Sequence, residues 1–258
     1  MGLDVHQFLC LTDNFAVLIR DAASGAVASI DAPDGAAIAA EARRIGWPLT
    51  HVLLTHHHHD HIGGVPDLRR AFPGLVVVGA RPDAHRLGVV DVFVEDGGLF
   101  QLGESRARAI DVSGHTLGHV AYHFPEDGIV FVGDTLFSLG CGRVFEGDME
   151  GMYDSLQKLA ALPDETLVYC GHEYTQANAR FALTVDPENP LLAERAREVD
   201  LLRAAGKFTL PTTIGLERAT NPFLRTEDPL VLAALGLPNA DAVSAFSRMR
   251  ELKNGFRG

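Results

Sequence analysis

Four side chains that can bind a metal ion lie within six consecutive positions: His56, His58, Asp60 and His61. The residues before them, 52–54, are apolar and typical of a buried β-strand. Because alternate residues at the end of a strand point the same way, the first two histidines are expected to face one point. The aspartate and the last histidine come where glycines turn the chain, so they can approach a neighbouring point. Imidazole and carboxylate together are typical ligands of zinc, iron or manganese, so the segment predicts a hydrolytic transition-metal centre.

Three later segments share one design, an apolar run followed by glycine and then by a side chain that can bind a metal. They are Gly114-His115, Gly133-Asp134 and Gly171-His172. Each pair alone is more typical of a turn or a cap than of a ligand. Three such pairs together with the first cluster predict one site at the carboxyl ends of several strands, where functional side chains collect.

The other histidines are interpreted as structural or surface residues. His57 and His59 alternate with the expected ligands and should point away from them, so we leave both out of the site. The remainder lack any partner spacing: His6, His51, His85, His119 and His123. Asp31 ends a predicted strand, where its carboxylate either orients the site or forms an Asx turn.

The ligand series resembles that of the metallo-β-lactamase superfamily. Within it the chain resembles the glyoxalase II family, the hydroxyacylglutathione hydrolases. The closer resemblance rests on four motifs: Gly140-Cys141-Gly142-Arg143, Gly171-His172-Glu173-Tyr174-Thr175, Asn221-Pro222-Phe223-Leu224-Arg225 and Arg250-x-x-Lys253-x-x-Phe256. It implies an α/β fold, an αβ/βα sandwich of two packed mixed sheets with a C-terminal all-helical domain. The expected division is a catalytic domain over residues 1–172 and a substrate-binding domain over residues 173–258.

The resemblance also implies a ligand set for two divalent transition-metal ions. His56, His58 and His115 would hold the first ion, and Asp60, His61 and His172 the second. Asp134 would bridge the two ions, and the catalytic groups would be Asp60 and Asp134 with a hydroxide between the metals. Zinc is the expected metal, and iron and manganese are alternatives because they accept the same ligands.

Five residues are expected to bind the substrate, because they match positions that contact glutathione in the family: Arg143, Phe145, Tyr174, Arg250 and Lys253. Arginine and lysine suit the carboxylates of glutathione. Without the resemblance, Arg250 and Lys253 would be interpreted as an exposed basic helix end. Phe145 replaces a tyrosine that hydrogen-bonds glutathione in some family members, so that contact is expected to be absent.

The composition limits the classes of partner that the protein is expected to bind. The formal net charge is −12, from 34 acidic and 22 basic residues, so a broad basic face for nucleic acid is not expected. No apolar stretch approaches the length of a membrane span, and the first residues lack the basic and apolar regions of a signal peptide. Three scattered cysteines are too few for a disulfide framework. We expect a soluble, cytoplasmic protein that acts on a small molecule and binds neither nucleic acid nor a membrane. The sequence leaves its protein partners unknown.

Three functions compete at this point. The first is hydrolysis of an S-(2-hydroxyacyl)glutathione thioester, such as S-D-lactoylglutathione, to glutathione and a 2-hydroxy acid in methylglyoxal detoxification. The second is a glutathione persulfide dioxygenase with one iron in the same fold, which would leave Asp60, His61 and His172 partly unused. The third is a non-catalytic metal-binding or interaction module, which should have lost at least one ligand. We expect the first, because all seven ligand positions are filled.

Overall fold

The computed structural model describes residues 2–257, in which two six-stranded sheets pack face to face between outer layers of helices. The strands are β1 (Leu3–Cys10), β2 (Asn14–Asp21), β3 (Val27–Ile30), β4 (His51–Leu53), β5 (Val76–Ala80), β6 (Val92–Val94), β7 (Leu99–Leu102), β8 (Ser105–Asp111), β9 (Val120–Phe124), β10 (Ile129–Gly133), β11 (Leu136–Phe137), β12 (Gly140–Cys141), β13 (Leu167–Cys170) and β14 (Thr212–Thr213). The α-helices are α1 (Gly35–Arg44), α2 (His59–Ile62), α3 (Val65–Ala71), α4 (Met149–Ala160), α5 (Thr175–Val185), α6 (Pro190–Ala204), α7 (Ile214–Thr220), α8 (Pro229–Ala234) and α9 (Ala242–Gly255), and 3₁₀ turns cover Arg81–Asp83 and Pro222–Leu224.

The inner strands are apolar on both faces because each face covers a different core. In β2, Val17 and Ile19 point into the core between the two sheets, whereas Ala16 and Leu18 point toward α1 and α3. This alternation follows from the two-residue period of a strand. An uninterrupted apolar run is therefore the pattern expected of a strand that lies between a second sheet and a helical layer. The two cores fix the sheet pair that carries the site.

Both sheets are mixed. The first has the order β1-β2-β3-β4-β5-β6, with β3 to β6 parallel to one another. The second has the order β14-β13-β10-β9-β8-β7, in which only β10 and β13 are parallel. The segments that follow β4, β10 and β13 lead into the predicted metal ligands, so strands from both sheets deliver side chains to one edge of the sandwich. The predicted sandwich of two mixed sheets is confirmed.

Local boundaries differ from the sequence predictions at two places. The buried strand expected over residues 52–54 ends one residue earlier, because β4 ends at Leu53 and the Thr55 backbone N–H donates to the Asp31 carboxylate. His56 and His58 therefore converge from a loop rather than from alternate positions of a strand. The sequence analysis also missed β1, an edge strand whose side chains are mostly half-buried.

The region after Glu173 is helical, as predicted, apart from the two-residue strand β14. This strand pairs with β13 and so extends the second sheet with residues from the C-terminal part of the chain. The helices α5, α7 and α9 pack against α6, α4 and the β11–β12 hairpin near the site. Within residues 2–257, every helix is too short or too polar to span a lipid bilayer.

Candidate active site

The first three predicted ligands converge on one point. The imidazole nitrogens His56 Nε2 and His58 Nδ1 lie 3.0 Å apart, and His115 Nε2 lies 3.1 Å from the same His58 nitrogen. His56 and His58 lie in the loop between β4 and α2, and His115 follows β8, so two segments that are far apart in sequence meet here. Their nitrogens all fall within 4.8 Å of one another, as a single ion requires.

The second set of predicted ligands lies beside the first. His61 Nε2 and His172 Nε2 are 3.3 Å apart, and the Asp60 carboxylate is 3.4 Å from His172 Nε2. Asp60 and His61 belong to the single turn α2, while His172 follows β13 at the edge of the other sheet. The structure thus brings together residues more than a hundred positions apart.

Asp134 lies between the two sets. One carboxylate oxygen, Oδ2, is 3.6 Å from His115 Nε2 and 3.3 Å from His172 Nε2, and the other, Oδ1, is 3.5 Å from His61 Nε2. The Oδ1 atom is buried and has no hydrogen-bond partner among residues 2–257. A buried carboxylate oxygen without a partner is costly unless a cation or a donor satisfies it.

The donor set fits divalent metal ions. Burial, followed by neighbouring imidazoles, holds the pKa of His56 well below its ordinary value, and burial likewise lowers the pKa of His58 and His115. Neutral imidazoles have a free lone pair for a metal at neutral pH. Burial also opposes ionisation of Asp134, but the charges of His61 and His172 outweigh it and keep the pKa of Asp134 well below its ordinary value. The first ligand set therefore presents lone pairs toward the centre, and Asp134 presents negative charge. Burial opposes protonation of His61 and His172, but the carboxylate of Asp134 outweighs it and raises the pKa of both, so these two imidazoles must release protons when a metal binds.

Further groups orient the ligands by hydrogen bonds to their outer atoms. The Asp31 carboxylate accepts from the Thr55 hydroxyl and lies 2.8 Å from His61 Nδ1, so of the two interpretations left open for Asp31 the structure supports orientation of a ligand. Asp31 has a left-handed φ of 56°, a conformation that aspartate tolerates better than most residues. His115 Nδ1 lies 2.8 Å from the carbonyl oxygen of Arg143. Such contacts select the ring orientation that turns the opposite nitrogen to the metal.

Two orienting residues were missed by sequence reasoning. Asp13 lies 2.8 Å from His172 Nδ1, and the Asn14 amide donates to the Asp60 carboxylate over 3.1 Å. Asp13 ends the turn between β1 and β2, and Asn14 is the first residue of β2, so both are far from the ligands in sequence. The available signal was a short polar turn between two apolar runs, which is equally typical of any hairpin.

At Gly171, which precedes His172, the backbone approaches other ligands closely. A Cβ atom at Gly171 would lie 2.4 Å from Asp134 Oδ1 and 2.7 Å from the His61 ring. No larger residue fits without displacing the cluster. The glycine therefore lets the β13 loop pass beside the second ligand set.

The histidines left out of the site do point elsewhere. His57 Nδ1 lies 3.0 Å from the buried Asp83 carboxylate, which also binds Arg86, and Arg86 in turn binds Glu146. His59 is exposed. His57 thus ties the ligand loop to the loop that carries Arg143, Phe145 and Glu146, without facing the metal centre.

One cavity of about 510 Å³ opens over the cluster, and all five predicted substrate-binding residues line it. Tyr174 stacks on the His172 ring with a centroid distance of 4.7 Å and an interplanar angle of 2°. Phe145 is 60% exposed and contacts the rings of His58 and His115 from the other side. The metal cluster therefore forms one wall of the cavity and aromatic rings flank it.

A second wall of the cavity is formed by two positively charged side chains, Arg250 and Lys253, and is called the cationic wall. The Arg250 guanidinium is buried, donates to the Cys141 carbonyl oxygen over 2.8 Å and lies over the Phe223 ring. Lys253 Nζ donates to the Ala177 carbonyl oxygen over 3.0 Å. Within residues 2–257 neither cation forms an ion pair with a carboxylate.

The positive charge of Arg250 makes the protonated form of Lys253 less favourable. Burial, followed by the charge of Arg250, lowers the pKa of Lys253 to about 8. Arg250 is buried and Lys253 is half-buried, and within residues 2–257 their hydrogen-bond partners are uncharged. Uncharged partners leave the positive charge of a partly desolvated cation uncompensated.

Comparisons with known proteins agree with this geometry. The family model "Metallo-beta-lactamase superfamily" matches residues 12–172, and "Hydroxyacylglutathione hydrolase C-terminus" matches residues 173–256. The hydroxyacylglutathione hydrolase of Rhizobium meliloti is 49% identical over 99% of both chains, and other bacterial relatives of that name are 47% to 51% identical. Relatives named hydroxyacylglutathione hydrolase therefore align with almost the whole chain.

Two solved structures are more distant. The crystal structure of ETHE1 from Myxococcus xanthus has a TM-score of 0.69 and 26% identity, and covers 96% of this chain and 90% of its own. The crystal structure of TTHA1623 in a di-iron-bound form has a TM-score of 0.63 and 26% identity, and covers 86% of this chain and 100% of its own. The fold and the His/Asp cluster together support binding of divalent metal ions. The chain belongs to the hydroxyacylglutathione hydrolase, or glyoxalase II, family of the metallo-β-lactamase superfamily.

Proposed function

We propose that this enzyme hydrolyses S-(2-hydroxyacyl)glutathione, for example S-D-lactoylglutathione, to glutathione and a 2-hydroxy acid such as D-lactate. This is the second step of methylglyoxal detoxification. The observation that carries the proposal is a single cavity with a metal-binding cluster on one wall and cations without carboxylate partners on the other. A glutathione thioester has a carbonyl for the first wall and carboxylates for the second.

The proposed metal centre uses seven residues. His56, His58 and His115 hold one ion, Asp60, His61 and His172 hold the other, and Asp134 bridges them. When bound, the two ions would supply a hydroxide nucleophile at neutral pH and positive charge that polarises the thioester carbonyl. The di-iron form of TTHA1623 supports a two-ion centre in this fold. Zinc is the proposed metal, with iron and manganese as alternatives, because the mixed imidazole and carboxylate set accepts all three.

The chain's own residues would position the reacting groups. The Asp60 and Asp134 carboxylates accept protons or hydrogen bonds at the cluster, and the Asn14 amide fixes the orientation of Asp60. No separate acid is required, because the leaving thiolate comes from a thiol of pKa about 8.5. The thiolate can therefore leave without a side chain that protonates the sulfur.

Substrate binding is proposed for Arg143, Phe145, Tyr174, Arg250 and Lys253. Their position along the cavity and the absence of carboxylate partners on the two buried cations support this assignment. The catalytic domain would comprise residues 1–172 and the substrate-binding domain residues 173–258. Phe145 can contact the ligand through its ring only, since it has no hydroxyl.

Location in the cytoplasm belongs to the same proposal. Cys10, Cys141 and Cys170 are free thiols and all are buried, which suits a reducing compartment. Fractionation of the cells that make the protein, followed by detection with an antibody, would test this location.

The decisive experiment is thiol release from S-D-lactoylglutathione by the purified protein, measured beside simple thioesters and a β-lactam. Rapid release from the first substrate alone is expected, and equal activity on simple thioesters would contradict a glutathione site. The metal content of the same sample should be two ions per chain. Release that persists after exhaustive chelation would contradict the metal mechanism.

A glutathione persulfide dioxygenase is not favoured, since relatives about 50% identical over nearly the full chain are named hydroxyacylglutathione hydrolase. Oxygen uptake with glutathione persulfide, together with the metal count, separates the two activities. One iron per chain with oxygen consumption would support the dioxygenase.

A further inference from the structure

His119 lies directly behind the metal cluster, although it belongs to none of the three groups of converging ligand atoms. It immediately precedes β9 and is 1% exposed. The backbone N–H of Asp134 donates to His119 Nε2 over 3.0 Å. The ring also stacks on His56 with a centroid distance of 4.6 Å and an interplanar angle of 15°. One imidazole therefore contacts a ligand of the first ion and the proposed bridge between both ions.

The backbone hydrogen bond determines the tautomer of His119. An amide N–H can only donate, so Nε2 must be the accepting nitrogen and the proton must be on Nδ1. The Nδ1 atom is buried, and it has no hydrogen-bond partner among residues 2–257. Among the described residues, the Asp134 N–H is therefore the hydrogen-bond partner that fixes this ring.

The contact between His119 and the Asp134 segment is close. A Cβ atom at Gly133 would lie 2.7 Å from both Cε1 and Nε2 of His119. Gly133 also has a φ of +48°, which turns the chain from β10 into the Asp134 loop. The imidazole therefore lies against the bend that aims Asp134 into the cluster, and a movement of this ring would move the bend.

We propose that His119 is a positioning residue for the metal centre, which fixes the Asp134 backbone and the His56 ring. The residue acts through two proposed ligands and does not bind the metal or the substrate. This inference rests on the proposed two-ion centre.

The test compares zinc retention by the zinc-loaded full-length protein and its variants, with a chromophoric chelator as competitor. His119→Phe retains a ring against His56 but has no acceptor for the Asp134 N–H, whereas His119→Gln retains an acceptor without a ring. His123→Phe is the matched control, because His123 lies on β9 away from the cluster. Two ions in the wild-type protein establish the centre independently, and no ions there would refute the centre rather than the role of His119.

We expect His119→Phe to weaken zinc binding by about 10-fold to 100-fold, the range found when an outer partner of a metal ligand is lost. His119→Gln should recover most of that loss, and the control should bind zinc as the wild type does. Zinc affinity unchanged in a folded His119→Phe protein would overturn the proposal. Should that variant not fold, a His119→Gln affinity no better than that of His119→Asn, which cannot reach the Asp134 N–H, would overturn it as well.

Discussion

The metal cluster and the cationic wall face each other across one cavity, but different physical interactions hold them in place. The ligands of the cluster are oriented by hydrogen bonds to carboxylates, as Asp31 orients His61 and Asp13 orients His172. The buried cations of the wall are held by carbonyl oxygens and aromatic rings, as Arg250 is by Cys141 and Phe223. The cluster thus presents carboxylates and imidazoles that can bind cations, whereas the wall presents positive charge that would attract an anion.

The difference in partners indicates where metal ions and where an anionic group can bind. Carboxylates beside the imidazoles make the cluster favourable for positive ions. In the proposed complex the wall cations would attract the carboxylates of the substrate, because carbonyl groups hold these cations without neutralising them. The separation predicts that changes in the cluster alter metal content and turnover, whereas changes in the wall alter KM.

The largest effect is expected from Asp134→Ala. Loss of the carboxylate between the two ligand sets should leave less than one ion per chain and lower turnover by about a thousandfold or more, because the centre that stabilises the transition state is lost. Metal analysis and thiol release from S-D-lactoylglutathione measure the two quantities. Asp154→Ala is the control, because Asp154 is exposed on α4. An Asp134→Ala protein with two ions and near-normal turnover would contradict the proposed bridge.

A smaller loss within the cluster is expected from Asp31→Asn. Asparagine tolerates the left-handed φ of Asp31, so this change alters the bond to His61 with little added backbone strain. Retention of the second ion should weaken by about 10-fold to 100-fold, while binding of the first ion changes less. Chelator competition in zinc-loaded protein resolves the two steps, and equal weakening of both would argue against a local role.

In the wall, Lys253→Glu should raise KM for S-D-lactoylglutathione by about tenfold and change kcat by no more than about twofold, since the charge change affects binding of the substrate in its ground and transition states alike. Steady-state kinetics provide both values. Lys207→Glu, at an exposed lysine, controls for the change in net charge. An unchanged KM would remove Lys253 from the binding site.

The smallest effect is a pH dependence. Because the pKa of Lys253 is lowered to about 8, the free enzyme loses this positive charge as the pH rises through about 8. The ratio kcat/KM should therefore fall on the alkaline side, and it reports ionisation of the free enzyme. Lys253→Met should start lower and lack this alkaline fall. If both proteins decline in parallel above pH 8, another group is responsible.

Much of the cluster could be predicted because its ligands belong to short motifs. Glycine followed by His115, Asp134 or His172 at the end of an apolar run is visible without knowledge of the fold. Asp13 and Asn14 could not be predicted in the same way, because a polar hairpin turn has many structural explanations. Arg250 was expected at the substrate but also proved to be buried and bound to Cys141, a contact between residues 109 positions apart.

By itself the sequence determined the chemical type of the site, since the kinds of side chain and their local spacing limit which metals and reactions are suitable. The resemblance of its motifs to a known superfamily also implied the layered fold class and the division of the ligands between two ions, neither of which follows from local periodicity. Only the tertiary structure showed that Asp13, Asn14 and His119 lie behind the ligands. Such contacts join segments far apart in the chain, and their geometry depends on sheet packing that no local pattern encodes.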